Sequence, residues 1–376
     1  MDRRSFLKHA GVVGGGLALA SERARSAAAP AEIRVGIITE AKGPHLSIYL
    51  SAFGATPGIA GVAVADASSA TFAEARARLG GRGASLQTYT DYVRMLREFR
   101  PELVLVSLAA DHAPEPIVAA LEAGCNVIAE KPACVRAADF ERAVRAAETK
   151  QRYLMLAFAN RRLPPAMKAR ELIQSGMLGK LYGVDMYTIA DQTRLKNPEY
   201  QRAWYASKSR AGGGHLMWLG IHYLDLIQYI SGDRIRQVTG FARNVGGTPI
   251  DVEDAAVVAL QFAGGSVGTL HSGYYLDRGY HTRIMVWGSD GWLRFDHTAG
   301  TPLEWYSTRG GAPKGVQTVP YPPDPTSGYR GLVANAVAAA RGVEAPAATG
   351  RECLDALRAV FGLYAASETG QAQTLA

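Results

Sequence analysis

His215, Trp218, Leu219, His222 and Asp225 recur at i, i+3, i+4, i+7 and i+10, the spacing of one face of an α-helix. Two imidazoles, an indole and a carboxylate make that face too polar for plain core, so it reads as one wall of a cleft. An imidazole titrates near neutral pH and can give or take a proton. An indole cannot act as an acid or base near neutral pH but stacks on the apolar face of a sugar ring. Leu216, Leu224 and Ile227 supply ordinary packing elsewhere on the same helix. Histidines 215 and 222, with His271 or His281, make a metal site conceivable. The chain has no close ligand pair of the H-x-x-x-H kind, however, and no metal is expected.

Two further clusters bunch polar and aromatic residues at expected strand ends. They are Asp191-Gln192-Thr193-Arg194, and Tyr274-Tyr275-Leu276-Asp277-Arg278 with His281. Such groups suit a polyhydroxylated ligand, although surface loops are often rich in the same residues. Gln192, Arg194, Tyr275 and His281 are the substrate candidates they contribute.

These residues need a frame, and the apolar pattern predicts one. Ile33 to Ile38, Gly61 to Ala65, Leu103 to Ser107, Asn126 to Ala129 and Tyr153 to Phe158 read as buried strands. Helical patterns separate them, including Pro44 to Phe53 and Ala138 to Thr149. That alternation implies a doubly wound parallel sheet. Beyond about Asn160 the rhythm changes to longer alternating runs: Tyr182 to Ile189, Val238 to Asn244, Ala255 to Phe262, Ser266 to Tyr275 and Thr282 to Trp287. Residues 263–265 and 288–291 supply turns. An α+β region with an open, mainly antiparallel sheet covered by helices follows. Leu332 to Ala340 and Cys353 to Ser367 form closing helices. The expected division is 1–31 signal, 32–155 nucleotide-binding domain, 156–330 substrate and oligomerisation domain, and 331–376 terminal helices.

Four motifs in register resemble one family. Residues 123–132, AGCNVIAEKP, look like the AGKHVxxEKP element of the glucose–fructose oxidoreductase, inositol dehydrogenase and MocA (Gfo/Idh/MocA) family. Asn160-Arg161-Arg162 with Pro164 resembles its N-x-R-x-x-P element. Residues 172–180 resemble LIxSGxLGxI, and Gly212 to Asp225 resembles GGGxLxDxGxHxxD. The resemblance implies a Rossmann-type first domain holding NAD and a hydride transfer on a sugar, glycoside or cyclitol. By position, Lys131 then sits beside the nicotinamide and the substrate hydroxyl, with a pKa depressed at the mouth of the sheet. His222 is the acid/base partner, with His215 as a third proton-handling group, and Asn160, Arg161, Trp218 and Asp225 face the substrate. Trp218 stands where the family carries its catalytic aspartate. A redox-neutral glycosidase using transient oxidation of the sugar, and a non-catalytic sugar- or partner-binding member, are the alternatives.

The nucleotide loop departs from the family as well. Its G-x-G-x-x-G is here Thr39-Glu40-Ala41-Lys42-Gly43-Pro44, which puts Glu40 beside a pyrophosphate it would repel. Lys42 and the helix N-terminus around His45 are the expected compensation. Asp66, closing the second strand, belongs on the adenosine ribose, and no arginine follows it directly, so NAD is favoured over NADP. Thr39, Gly43, Ser107, His112 and Glu130 complete the expected cofactor set.

The N-terminus reads Asp2-Arg3-Arg4-Ser5-Phe6-Leu7-Lys8, then an apolar run and a small-residue cleavage site at Ser26 to Ala29. This matches a twin-arginine export signal and predicts a periplasmic protein that folds, and loads its cofactor, before export. Without the signal the net charge falls from +7 to about +4. No basic run is interleaved with aromatics, so nucleic acid is not expected as a partner. Past the signal no apolar stretch reaches the roughly 20 residues of a membrane span. Cys125, Cys134 and Cys353 are too scattered for a disulfide framework. A homodimer or homotetramer is what the resemblance implies.

Overall fold

A computed structural model describes residues 31–276, 278–296, 301–322, 324 and 326–375. Residues 1–30, on which the expected export signal falls, lie outside the described residues.

The first sheet holds β1 (Ile33–Thr39), β2 (Ile59–Ala65), β3 (Gln87–Tyr89), β4 (Leu103–Ser107), β5 (Asn126–Ala129) and β6 (Leu154–Leu156). All pair in parallel, in the order β3-β2-β1-β4-β5-β6. Helices cover both faces of such a sheet, which is why its central strands are unbroken apolar runs: Val35, Ile37, Val104 and Leu105 are wholly buried. The strand order reverses between β1 and β4, and a crevice opens there at the carboxyl ends. The first helix begins at Leu46 rather than at Pro44, because His45 is left-handed (φ 54°) and cannot continue a helix.

The second sheet holds β7 (Leu181–Asp191), β8 (Ile235–Arg243), β9 (Ala255–Phe262), β10 (Val267–Leu276), β11 (Tyr280–Gly288), β12 (Gly291–Phe295), β13 (Leu303–Ser307), β14 (Gln317–Val319) and β15 (Gln373–Thr374). Its order is β14-β13-β12-β11-β7-β10-β9-β8-β15, antiparallel except where β10 lies parallel to β7. Burial alternates along β7, β9 and β10, the mark of a sheet with one covered face. The helix Gly350–Thr369 lies on β8 and packs against the helix Ile221–Ser231. It starts on a capping box in which Thr349 and Glu352 satisfy each other's backbone, three residues before the apolar pattern predicts a start. The helix Ser327–Ala340 returns to the first sheet and packs on the helix Leu46–Ala55. It thereby brings Tyr329 to the end of β5.

Candidate active site and cofactor crevice

β5 delivers Glu130 and Lys131 into the interior, 1% and 2% exposed. Tyr49 donates its hydroxyl to Glu130, and His45 Nδ1 lies 3.2 Å from the second carboxylate oxygen. Burial pushes the Glu130 carboxyl up, but His45, Lys131 and Tyr49 together outweigh it and hold the group below the usual range. Burial drags Lys131 down from 10.5 to about 8, with Glu130 opposing. Its ammonium donates to the Trp218 carbonyl at 2.6 Å and sits 3.8 Å from the centroid of the Trp218 ring. Trp218 stacks in turn on His45, 6.2 Å between centroids, and meets Trp204 and Tyr205. The indole is a lid on the lysine.

The five-residue face expected around His222 does not form. Residues Leu216–Gly220 make a π-turn, closed by Ile221 N–H donating to the Leu216 carbonyl, before the α-helix Ile221–Ser231 begins. A π-turn takes an extra residue per turn and so breaks the 3.6 register across it. His215 is therefore turned into the core. It is fully buried, its Nδ1 is 2.7 Å from the Ser272 hydroxyl, and Tyr274 packs edge-on at 4.3 Å. Burial, helped by the Arg194 charge, lowers it to about 3, and it lines neither of the two cavities described below, so the structure does not bring it to the site as a third proton-handling group. Glu253, which sequence reading did not single out, fixes this turn by accepting from Gly214 N–H at 2.6 Å and Leu216 N–H at 2.9 Å.

Asp225 is likewise corrected, and Arg161 with it. Arg161 forks onto the Asp225 carboxylate with contacts of 2.6, 2.9 and 3.1 Å, and both are almost fully buried. Arg161 also donates to the Ala347 carbonyl. With Glu352 3.4 Å from Arg161, these contacts pin the Ala159–Arg162 turn to the helices Ile221–Ser231 and Gly350–Thr369, and neither Arg161 nor Asp225 lines the cavities described below. Burial works against the guanidinium charge, but Asp225 outweighs it and keeps the group charged.

His222 and Asn160 do face open space. They line a cavity of about 590 Å³ together with Thr188, Leu219, Tyr223, Tyr280, Thr282, Asp296, Tyr321 and Tyr329. Lys131 and Trp218 are not among its walls. Thr188, Thr282 and Tyr280 lie at alternate positions of β7 and β11, so strand parity could have found them. Tyr321 and Tyr329 come from segments with no local signal. Of the softer candidates, Arg194 reaches the rim by donating to the Tyr280 hydroxyl at 3.1 Å. Gln192 donates to the Tyr275 carbonyl, Tyr275 meets His271 at 3.2 Å, and His281 is exposed; none of these three lines the cavity.

A second cavity, about 480 Å³, opens at the carboxyl ends of β1, β2 and β4 and is lined by Thr39, Glu40, Asp66, Ser68, Tyr92 and His112 among others. Several expected ligands here are already engaged. Thr39 donates its hydroxyl to the Ser107 carbonyl, and Ser107 donates to Pro44. A Cβ on Gly43 would lie 2.8 Å from the Ser107 carbonyl, so only glycine lets the loop approach this strand end. Lys42 points outward into an exposed ion pair with Glu199. Asp66 accepts from the backbone and hydroxyl of both Ser68 and Thr71 at 2.7–2.9 Å; those bonds outweigh its burial and keep it below the usual range.

Residues 8–158 match the oxidoreductase family with an NAD-binding Rossmann fold, and residues 166–294 match the GFO/IDH/MocA C-terminal domain. The chain belongs to the Gfo/Idh/MocA family of oxidoreductases. It is 26% identical over 248 residues to the myo-inositol 2-dehydrogenase of Thermotoga maritima, covering 64% of this chain and 69% of that protein. It is 25% identical over 272 residues to the levoglucosan dehydrogenase of Pseudarthrobacter phenanthrenivorans, covering 64% and 66%. Among solved structures, an oxidoreductase domain protein from Kribbella flavida superimposes with a TM-score of 0.81 at 25% identity, over 93% of this chain and all of that one.

The residues present fit the dinucleotide that defines this family. The cavity at the switch point has Asp66 at the end of β2 and the Gly43 approach at the end of β1. Thr39 and Ser107 shape the loop, while backbone and cavity walls are what remain for the ligand. The three cysteines are buried and free. Among the described residues no helix is long and apolar enough to cross a membrane, and no cluster of His, Cys, Asp or Glu is suited to a metal.

Proposed function

We propose that this Gfo/Idh/MocA member oxidises a ring hydroxyl of a sugar, glycoside or cyclitol, with NAD rather than NADP as hydride acceptor. The reading rests on one observation above all: the cavity of about 590 Å³ whose wall is made of His222, Asn160, tyrosines, threonines and Asp296. Such a wall offers many donors and acceptors between aromatic faces, which suits a polyol. The matched relatives named for myo-inositol and levoglucosan support the same class.

Bound NAD supplies the hydride acceptor for the carbon that carries the hydroxyl. His222 faces the cavity and takes the hydroxyl proton. Lys131, kept behind the Trp218 ring, holds a positive charge at the end of β5, where it favours the oxyanion that develops on proton loss. Trp218 replaces a family aspartate and covers Lys131, so proton transfer falls to His222 instead of a carboxylate–lysine pair. Tyr280, held by Arg194, and Asn160 orient the ring.

The protein is exported through the twin-arginine route with its cofactor held tightly, and it assembles through the open face of the second sheet. That face exposes Phe241 and Val257, which pair across β8 and β9, with Val267 and Trp287 beyond.

The test is to denature the protein purified from its exported fraction and identify released dinucleotide by mass spectrometry, then follow nicotinamide reduction with a panel of sugars, glycosides and cyclitols. Release of NAD and reduction by one polyol class support the reading. Absence of dinucleotide together with no reduction by any member of the panel would overturn it.

A further inference from the structure

Glu40 is the first residue after β1, where the dinucleotide fingerprint has a variable position between its first two glycines. Its side chain reaches across to the end of β4. One carboxylate oxygen accepts from the Ala109 N–H at 2.6 Å, and the other lies 3.0 Å from His112 Nδ1. Gly43 N–H donates to the Glu40 carbonyl at 2.9 Å, and Leu46 N–H donates to the Gly43 carbonyl at 3.2 Å. Two of the N–H groups at this turn, those of Gly43 and Leu46, are therefore spent within the chain. In a doubly wound sheet, a pyrophosphate lies over the first strand-to-helix turn at the point where strand order reverses, taking N–H groups from it. Here an anion of the chain's own bridges that gap from β1 to β4.

We propose that Glu40 is a built-in anion occupying the pyrophosphate position, and that dinucleotide binding requires its displacement. The inference rests on the NAD reading above. It gives a role to a carboxylate in a loop that carries Thr39, Ala41 and Pro44 at the three glycine positions: the side chain, held by Ala109 and His112, sets a negative charge across the switch point where a phosphate would meet it. The cavity beside Asp66 and Ser68 remains open to the adenosine end, since Glu40 bridges towards β4 and away from β2. The positive groups near the bridge do not cancel the charge: Lys42 is engaged with Glu199, and Arg210 with Asp111.

The experiment is titration of dinucleotide-stripped protein with NADH and, separately, with adenosine, followed by fluorescence and calorimetry. Glu40→Gln keeps the size and removes the charge; Glu40→Gly removes both. Juxtaposed like charges cost enough that Glu40→Gly should bind NADH about tenfold or more tightly, with Glu40→Gln between it and the unaltered protein. Adenosine, which has no pyrophosphate, should bind all three alike. NADH affinity unchanged or weakened in both variants, with circular dichroism showing an intact fold, overturns the inference while leaving the NAD reading standing. Failure of all three proteins to bind NADH, NADPH or adenosine overturns both.

Discussion

The Lys131 ammonium is clamped between the carbonyl and the ring of a single residue, Trp218, at 2.6 Å from the oxygen and 3.8 Å from the ring centroid. A cation held by a neutral partner is a different device from one held by a carboxylate. It is costly to keep charged, and its proton is easier to remove.

That cost sets a pH dependence. The folded-state value of Lys131 is about 8 against an ordinary 10.5. Between those values the unfolded chain binds the extra proton, so stability rises with pH across about 8 to 10.5; below 8 the full penalty is present. Lys131→Met should therefore be more stable than the unaltered protein at pH 7, by on the order of 3 kcal/mol before lost contacts are counted. The gap should shrink as pH approaches 10. Denaturant unfolding of both proteins at several pH values checks this, and a gap independent of pH contradicts it.

Arg161 and Asp225 make the opposite prediction. Their forked pair is sealed in the interior, so removing one partner strands the other charge. Asp225→Ala should lower unfolding stability by about 3–5 kcal/mol, whereas replacing both residues with apolar ones of similar volume should cost far less. Protein that still folds should keep its KM for the accepted polyol, because neither group lines the cavity. A large KM change with unaltered stability would return both residues to the substrate site.

The sheets were legible because their signals are local. Val104 and Leu105 sit in an unbroken apolar run, and β7 alternates, as strands buried on two faces and on one face must. The site was legible only in part. His222 and Lys131 stood out through their neighbours, but the assignment of His215 and Asp225 assumed 3.6 residues per turn through Leu216–Gly220. The π-turn there is held by Glu253, more than thirty residues away in sequence, and helical periodicity carries no information about such a partner. Arg161 looked like a ligand because a charged residue in a motif has no visible partner until the chain folds. Tyr329 arrives from the last quarter of the chain by tertiary packing alone.

Export is tested at the N-terminal arginine pair. Replacing Arg3 and Arg4 with lysine should leave the precursor in the cytoplasm, and disabling the general secretory route should have no effect. Export that survives the double substitution refutes the twin-arginine assignment.

The division of labour between His222 and Lys131 is decided by kinetics. His222 lines the cavity and Lys131 lies behind Trp218, so the two should fail differently. His222→Asn should lower kcat by 10²–10⁴-fold, roughly 3–5 kcal/mol of barrier, with little change in KM. Trp218→Ala opens the lysine to the cavity and to water. Its pKa should then move up from about 8 towards its ordinary value, because burial is what depresses it. Any limb of the pH–rate profile that reports Lys131 moves up with it. Trp218→Asp should raise that limb further, since a carboxylate beside an ammonium favours the charged form. A His222→Asn enzyme that keeps more than about a tenth of its rate, a loss of only about 1.4 kcal/mol, would give the proton-transfer role back to Lys131. A profile that stays fixed in both Trp218 variants would show that the lysine does not titrate in the reaction at all.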